Sequence, residues 1–306
     1  MKILVILAAY NGENFIKEQV NSILEQAGVL VNIKIFEDVS KDNTLQALDD
    51  YRDDSRVEVF KNVAASGSAA NNFFNAIKSI SDDTINSYEF IAFSDQDDIW
   101  LPEKLKVASS MLVKEQSSLY CSNLILWDEK SNHKSIIHKS YPQKKYDFLF
   151  EGGSAGCTYV FTNDFCIRLK RVVEKTNYMQ WKFFSHDWFV YFYARISKDK
   201  VSIDSNAYML YRIHSDNVHG QLNKNSLHAL SERLKLIKQG WYFKQIKGFS
   251  TFVESQSIES KIYELYSKNY FSRLYILLRY NFELMRSSKK FIMFFMISLL
   301  PLRIKK

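Results

Sequence analysis

Tyr88-Glu89-Phe90-Ile91-Ala92-Phe93-Ser94-Asp95-Gln96-Asp97-Asp98-Ile99-Trp100 is a largely apolar run that stops in three carboxylates within four residues. Tyr88 to Phe93 reads as a buried strand, so Asp95, Asp97 and Asp98 fall together at its carboxyl end, where open α/β sheets place their ligands. Crowded carboxylates repel one another unless a cation joins them. Mg²⁺ or Mn²⁺, held by one or two of these oxygens and completed by substrate phosphates and water, would remove that repulsion and create a diphosphate site. The other reading of an isolated Asp-x-Asp is a polar turn solvated at a strand end. Neighbouring segments decide between the two.

Outward from this stretch, strand and helix patterns alternate. Lys2–Ala8 reads as a buried strand, followed by a helix over Asn14–Gln26 with Ile16, Val20, Ile23 and Leu24 at helical spacing. Val31–Phe36 is a second strand and Val57–Phe60 a third. A helix from Asn43 turns Leu45 and Leu48 inward, and another begins near Asn71. Pro102 starts the next helix and Leu119–Trp127 returns as a strand. This alternation predicts parallel β-α-β units and an α/β, doubly wound, mostly parallel central sheet flanked by helices. Residues 130–150 read as an exposed loop. Cys157–Phe161 and Ala207–Tyr211 read as strands, Asn163–Glu174 and His186–Ile196 as helices, and the chain beyond 221 as helical.

At 306 residues, with 46% hydrophobic and 15% aromatic content, the chain is long and apolar enough to bury a sizeable core. The formal charge of +7 is unevenly placed. Residues 221–306 hold 16 Lys and Arg against 5 Asp and Glu, or +11, which leaves −4 for residues 1–220. The basic C-terminal part therefore points to an anionic surface as partner. No nucleic-acid partner is expected, because no zinc-finger, RNP-like or helix-turn-helix signal accompanies the charge. Cys121, Cys157 and Cys166 have no Cys-x-x-Cys spacing and suit reduced thiols in a cytoplasm. Lys2 followed by Ile3–Ala9 superficially resembles a secretory signal, but it flows directly into Tyr10-Asn11-Gly12 and a helix, as a first strand does.

In a parallel sheet, Ala8-Ala9-Tyr10-Asn11-Gly12 and Glu37-Asp38-Val39-Ser40-Lys41-Asp42-Asn43-Thr44 come to the same edge as Asp95–Asp98. One crevice then gathers backbone amides, an aromatic ring and several carboxylates. Tyr10 can flank a base there, and Asp38 or Glu37 can accept hydrogen bonds from base or ribose. Asp42-Asn43-Thr44 reads equally as an N-cap.

Together these segments resemble the family 2 glycosyltransferases of the GT-A fold, closest to bacterial rhamnosyltransferase-like members. The resemblance runs from Ile3 to about Gly220. It also includes Gly67-Ser68-Ala69-Ala70-Asn71-Asn72-Phe73, Gly156-Cys157-Thr158, His186-Asp187-Trp188 and Tyr211-Arg212-Ile213-His214-Ser215-Asp216-Asn217-Val218-His219-Gly220. Glu37 stands where the family usually has Asp, and Val39 where it usually has Gly. Valine does not relax a φ > 0 turn as glycine does, so a displaced nucleotide loop or an altered base contact is expected.

The resemblance implies a nucleotide-sugar site drawn from Ala9, Tyr10, Asn11, Glu37, Asp38, Asn71, Asp95, Gln96 and Arg212. It implies Asp97 as metal ligand, with Asp98 and His214 as further candidates, and Mg²⁺ or Mn²⁺ as cofactor. Arg212 would neutralise departing diphosphate charge. Asp187 matches the family's catalytic base, inside an acceptor region that includes Gly156, Cys157, Thr158, His186 and Trp188. Trp188, Phe183 and Phe184 would supply apolar surroundings that suit a carboxylate base. The structural reading of Asp187 is a helix N-terminal residue favoured by the dipole.

Residues 289–306 form a basic-flanked apolar block of twelve residues, Phe291–Leu302. That is too short for the ~20 residues of a spanning helix, so the block would lie in a membrane interface or pack as a core helix. The expectation is thus a metal-dependent inverting glycosyltransferase. It would move a sugar such as L-rhamnose from its dTDP form to a lipid-linked or polysaccharide acceptor, peripheral at the cytoplasmic face of the cell membrane. Residues 1–220 would form the GT-A domain, with 1–127 as donor half and 128–220 as acceptor half, and 221–306 a helical extension. The alternatives are a nucleotidyltransferase or nucleotide-sugar hydrolase, or a Ca²⁺-dependent membrane module; for the last, the glycine at the sixth position of an EF-hand loop is missing.

Overall fold

Ile3 to Ala9 are all apolar and all buried, which puts strand β1 (Lys2–Ala9) inside the sheet rather than at its edge. In this computed structural model, which describes residues 1–181, 184–213 and 240–299, β1 is flanked in parallel by β2 (Leu30–Glu37) and β4 (Phe90–Asp95), with β3 (Val57–Lys61) outside β2. The order continues β3-β2-β1-β4-β8-β6-β9-β5, using β5 (Ile99–Trp100), β6 (Leu119–Asp128), β8 (Val160–Thr162) and β9 (Val201–Arg212). The β4–β8, β8–β6 and β9–β5 pairs are antiparallel, and β6–β9 is parallel.

Helices α1 (Ile16–Leu24), α2 (Thr44–Leu48), α3 (Ala69–Ser79), α4 (Asp82–Asn86), α5 (Lys104–Glu115), α6 (Asn163–Glu174) and α7 (His186–Ile196) complete this first unit. It comprises Met1–Ser140, Gly153–Met179 and Ser185–Ile213. Ile16, Val20 and Ile23 of α1 are buried, as their spacing requires. Ser68 caps α3 by accepting from the Asn71 amide at 3.1 Å, and Thr162 caps α6 through the Phe165 amide at 3.2 Å. All three cysteines are buried.

Residues 130–150 are not a simple exposed loop. His133–Ile137 form β7, antiparallel to β6, because ladder bonds hold this edge hairpin although four of its five side chains are exposed. Tyr146, Asp147, Phe148, Leu149 and Phe150 are buried. Gly156–Thr158 form a 3₁₀ turn ahead of a three-residue β8, where a single strand over 157–161 was expected. Strand β9 starts six residues before the expected Ala207, since its polar stretch is carried across an irregularity in its ladder with β6.

The second unit comprises Tyr141–Gly152, Gln180–Phe184 and the described part of 214–306. Its helices are α8 (Trp241–Phe249), α9 (Ile258–Lys268), α10 (Tyr270–Tyr280) and α11 (Ser288–Ser298). Phe150 packs against Tyr263, Tyr266 and Phe294 with ring centroids 5.0–6.0 Å apart. Arg286 is buried, donating to the Gly152 carbonyl at 2.7 Å and lying 3.7 Å from the Asp147 carboxylate. No described helix is long and apolar enough to cross a membrane.

Candidate active site

Strand register brings the first two segments together. Ala8 stands between Phe36 and Asp95, and Ala9 beside Glu37, so the carboxyl ends of β1, β2 and β4 finish level. The turn after β1 is strapped to both neighbours. The Tyr10 amide donates to Gln96 Oε1 at 2.6 Å, while Gln96 Nε2 returns a bond to the Tyr10 carbonyl at 2.7 Å. Asn11 (φ +50°) donates its amide to Ser40 Oγ at 2.9 Å and accepts from the Lys41 amide at 2.8 Å. Gly12 cannot be larger, because a Cβ there would lie 2.4 Å from Gln96 Oε1. The Tyr10 ring remains exposed at this edge.

The turn after β2 keeps the geometry glycine would give. Val39 sits at φ +58°, in the left-handed region, so the expected displacement is replaced by local strain. Glu37 is fully buried and accepts from the Ser40 amide, while its Oε2 has no partner. Asp38 is buried: Oδ1 accepts from Asn62 Nδ2 (2.8 Å) and the Ser66 amide (2.7 Å), and Oδ2 from Ser66 Oγ (2.6 Å). Its carboxylate thus anchors the loop before α3. Asn71 likewise donates to the Ser66 carbonyl at 2.8 Å.

The acidic cluster is tightly confined. Carboxylate oxygens of Asp95 and Asp98 and the Cys157 sulfur lie within 4.8 Å of one another. Both Asp98 oxygens are buried without a hydrogen-bond partner. Burial raises the Asp98 pKa well above the carboxylate range, and the charges of Asp97 and Asp95 add to this. Asp95 is pushed up to about 7 by burial, then by Asp97 and Asp187. Orphaned buried carboxylate oxygens beside a further carboxylate are the donor set a hard divalent ion takes, so Mg²⁺ or Mn²⁺ fits Asp95 and Asp98, while Asp97, whose charge acts on both, lies outside the group whose ligand atoms meet within 4.8 Å. The Cys157 thiol, its pKa raised chiefly by burial, stays protonated and contributes little to such an ion. His214 and the rest of the 214–220 motif lie outside the described residues.

Asp187 sits in the first turn of α7, where its Oδ1 accepts from the Trp188 amide at 2.7 Å and from Ser185 Oγ. It is only part-buried, and its charge reaches Asp95. His186 packs between Phe73 and Phe93, with centroids 4.7 and 5.9 Å away, and its Nε2 would be 2.2 Å from a Cβ on Gly156. Gly156, Cys157, Thr158 and Trp188 are buried. Of these, Cys157 lies against the acidic cluster. Phe183 lies outside the described residues, and Phe184 belongs to the second unit.

Arg212 has partners within the protein. It is buried and already paired, with Glu18 through Nη2 and with Glu129 through Nη1 at 2.5 Å, and it lies over the Trp127 ring at 4.7 Å. Three further residues were not singled out from sequence. Glu18 is one, as partner of Arg212. The Gln19 amide, oriented to satisfy its neighbours, accepts from Ser94 Oγ (2.6 Å) and Trp100 Nε1 (3.2 Å) and donates to the Asp98 carbonyl. Lys104 Nζ is buried 3.5 Å from the Trp100 ring centroid without a hydrogen-bond partner, and burial lowers its pKa to about 7. Its spacing to the buried Ala108 and Leu112, four and eight residues on, is the signal that places it on the inward face.

Comparison with known proteins agrees with this geometry. The Glycosyl transferase family 2 profile matches residues 4–176. The chain is 36% identical over 243 residues to the dTDP-rhamnosyl transferase RfbG of Shigella flexneri, covering 78% of this chain and 82% of that protein. It is 34% identical over 159 residues to the Escherichia coli β-1,3-glucosyltransferase WfgD, covering 51% and 58%. Among solved structures, S. aureus TarS 1–349 in complex with UDP superposes with TM-score 0.57 at 19% identity, over 97% of this chain and 90% of that one. The Pyrobaculum calidifontis mannosyltransferase PcManGT, in complex with GDP-Man and Mn²⁺, gives 0.52 at 12% identity, over 91% and 74%. The fold is GT-A-like, and the chain belongs to glycosyl transferase family 2 as a glycosyltransferase.

Proposed function

We propose that the chain is an inverting, divalent-cation-assisted glycosyltransferase. It moves L-rhamnose from dTDP-L-rhamnose to a hydroxyl of a lipid-linked or polysaccharide acceptor at the cytoplasmic face of an anionic membrane. One observation carries the reading most directly. His186, the residue before Asp187 at the start of α7, packs on Phe93 of β4 with ring centroids 5.9 Å apart, two residues before Asp95, so the first turn of α7 meets the strand that ends in the acidic cluster. Asp187 takes the proton of the acceptor hydroxyl as that oxygen attacks the anomeric carbon opposite the departing nucleotide, and a single displacement inverts the centre. Asp95, Asp97 and Asp98 would hold Mg²⁺ or Mn²⁺, with His214 as further ligand. The ion would supply charge neutralisation for the diphosphate. The exposed Tyr10 ring flanks the base, and the turns around Asn11, Glu37, Asp38 and Asn71 shape the nucleoside pocket. In domain terms, residues 1–127 serve the donor, 128–220 the acceptor, and 221–306 the membrane.

Support for rhamnose comes from the 36% identity to a protein named dTDP-rhamnosyl transferase, over most of both chains. The test is incubation with a panel of nucleotide sugars and an acceptor extract. Release of dTDP and acceptor labelling only with dTDP-L-rhamnose are expected. Nucleotide release without acceptor labelling would instead indicate a hydrolase.

A further inference from the structure

Helix α10 has a partnered side and an unpartnered one. Arg273, Ile276 and Leu277 are buried in the second unit. On the other side Phe271, Tyr275 and Leu278, continued by Phe282 just beyond the helix, are 79%, 57%, 61% and 47% exposed. Spacings of four, three and four residues put these side chains on one stripe of the helix surface. An aromatic and aliphatic stripe of this kind, left to water, is costly unless something covers it.

We infer that this stripe is where the protein docks on an anionic lipid bilayer. Charge complementarity selects that occupant. Residues 268–290 carry Lys268, Arg273, Arg279, Arg286, Lys289 and Lys290 against one acid, Glu283. Of the basic residues, Lys268, Arg279 and Lys289 are exposed. α10 itself has no acidic side chain. Large apolar and aromatic side chains that enter the headgroup boundary, with cations left at the lipid phosphates, are what an interfacial helix presents. The sequence had pointed instead to the block from Phe291 onward. In the structure Phe291, Phe294 and Ile297 of that block are buried and its exposed side is Ile292, Met293 and Met296, so of the two helices α10 offers the exposed aromatic rings. The stripe adjoins that block through Phe282, whose ring lies 4.9 Å from Phe291.

This deepens the membrane partner proposed above and rests on that reading for its purpose, but its test uses neither donor nor acceptor. The full chain is floated with phosphatidylglycerol/phosphatidylcholine vesicles and with pure phosphatidylcholine vesicles. Wild type should float with the anionic vesicles and much less with the neutral ones. The double variant Phe271→Ser/Leu278→Ser should lose roughly tenfold or more of the bound fraction. Arg279→Glu should lose severalfold, mostly at low salt. Tyr275→Ser is an independent variant on the same stripe, and circular dichroism checks each fold. Val113→Ser, at an exposed apolar position of α5, should float like wild type. Equal flotation of the stripe variants and wild type would overturn the proposal. So would a wild-type dimer that the variants dissociate while no form floats, since the occupant would then be a second copy.

Discussion

The Arg212 guanidinium donates through Nε to the backbone carbonyl of Asp97 at 3.2 Å, across 115 residues of chain. Its other nitrogens are held by Glu18 and Glu129, so the end of β9 and the first turn of α1 are fixed to the peptide of a proposed metal ligand. Arg212 thereby positions the Asp97 peptide. Arg212→Ala should lower unfolding free energy by about 2–3 kcal/mol. That is below the usual cost of breaking a buried pair, because both carboxylates stay half-exposed. Arg212→Lys should recover stability better than donor affinity, since an ammonium does not reproduce the planar fork. Urea unfolding beside donor titration separates the two; unchanged donor affinity in both variants would remove the positioning role.

The acidic cluster predicts how stability responds to pH. Asp95 titrates near 3.8 when unfolded and at about 7 in the fold, and Asp98 is raised in the same direction. Between these values the folded state binds more protons, so rising pH withdraws stability. Lys104 has the opposite sign: lowered from 10.5 to about 7 by burial, it returns stability above neutrality. In EDTA, the melting temperature should fall from about pH 4 to 7 and then flatten. MnCl₂ should raise it at neutral pH, and Asp98→Asn should weaken both effects. A profile that rises from pH 4 to 7 in EDTA would contradict the site geometry.

Val39 at φ +58° carries the left-handed penalty of ~1–2 kcal/mol for an L-residue. Glycine removes that penalty but adds unfolded-state freedom worth about 0.5–1 kcal/mol. Val39 is 37% exposed, so most of its side chain is covered and glycine forfeits about 1 kcal/mol or more of that burial. The gain and the losses nearly cancel, and Val39→Gly should leave stability within about 1 kcal/mol of wild type in denaturant titration. A clear gain in stability would mean that backbone strain outweighs the packing of the valine side chain.

Much of the first unit is legible because its signals are local. The unbroken apolar run Ile3–Ala9 demands a buried strand, and α6 and α7 begin and end at the residues their periodicity predicts. What stayed hidden involves partners distant in sequence. Tyr146–Phe150 looked like loop because Lys144, Lys145 and the hairpin around them set the local composition, yet the rings that bury Phe150 come from positions 263, 266 and 294. Asp38 and Arg212 have residue types that suit ligand contacts, and only the tertiary structure reveals that Ser66 and Asn62 also bond the first and Glu18 and Glu129 pair with the second. The strand end placed Asp95 and Asp98 together and the resemblance added Asp187 as an expectation, while the orphaned oxygens of Asp98 are a property of packing alone.

For Asp187, substitution by Asn should separate chemistry from binding. An amide oxygen still accepts from the Trp188 amide and Ser185 Oγ, so the start of α7 is preserved. Transfer should fall by roughly 10²–10⁴, the usual contribution of a general base, with donor affinity kept. The wild-type product should have the anomeric configuration opposite to the donor's, which NMR of the purified glycoside reads; retention would exclude the single displacement.

Ending the chain at Ser287 should damage the second unit and not merely detach the protein from membranes. α11 buries Phe291, Phe294 and Ile297. Phe294 meets Phe150, Tyr242 and Tyr266 at 5.0, 4.9 and 5.8 Å. Tyr266 bonds Ser298 through their hydroxyls at 2.9 Å, Arg273 donates to the Ser298 carbonyl at 3.2 Å, and Lys290 pairs with Glu151 at 2.8 Å. Each large buried side chain contributes roughly 1.5–3 kcal/mol. Losing three of them, and exposing the aromatic surface they cover, is comparable with the ~5–15 kcal/mol that holds a domain folded. The shortened chain should lose near-ultraviolet ellipticity from the tyrosines around Tyr266 and become protease-sensitive across residues 240–287. Retention of wild-type ellipticity and protease resistance would show that α11 is dispensable to this core.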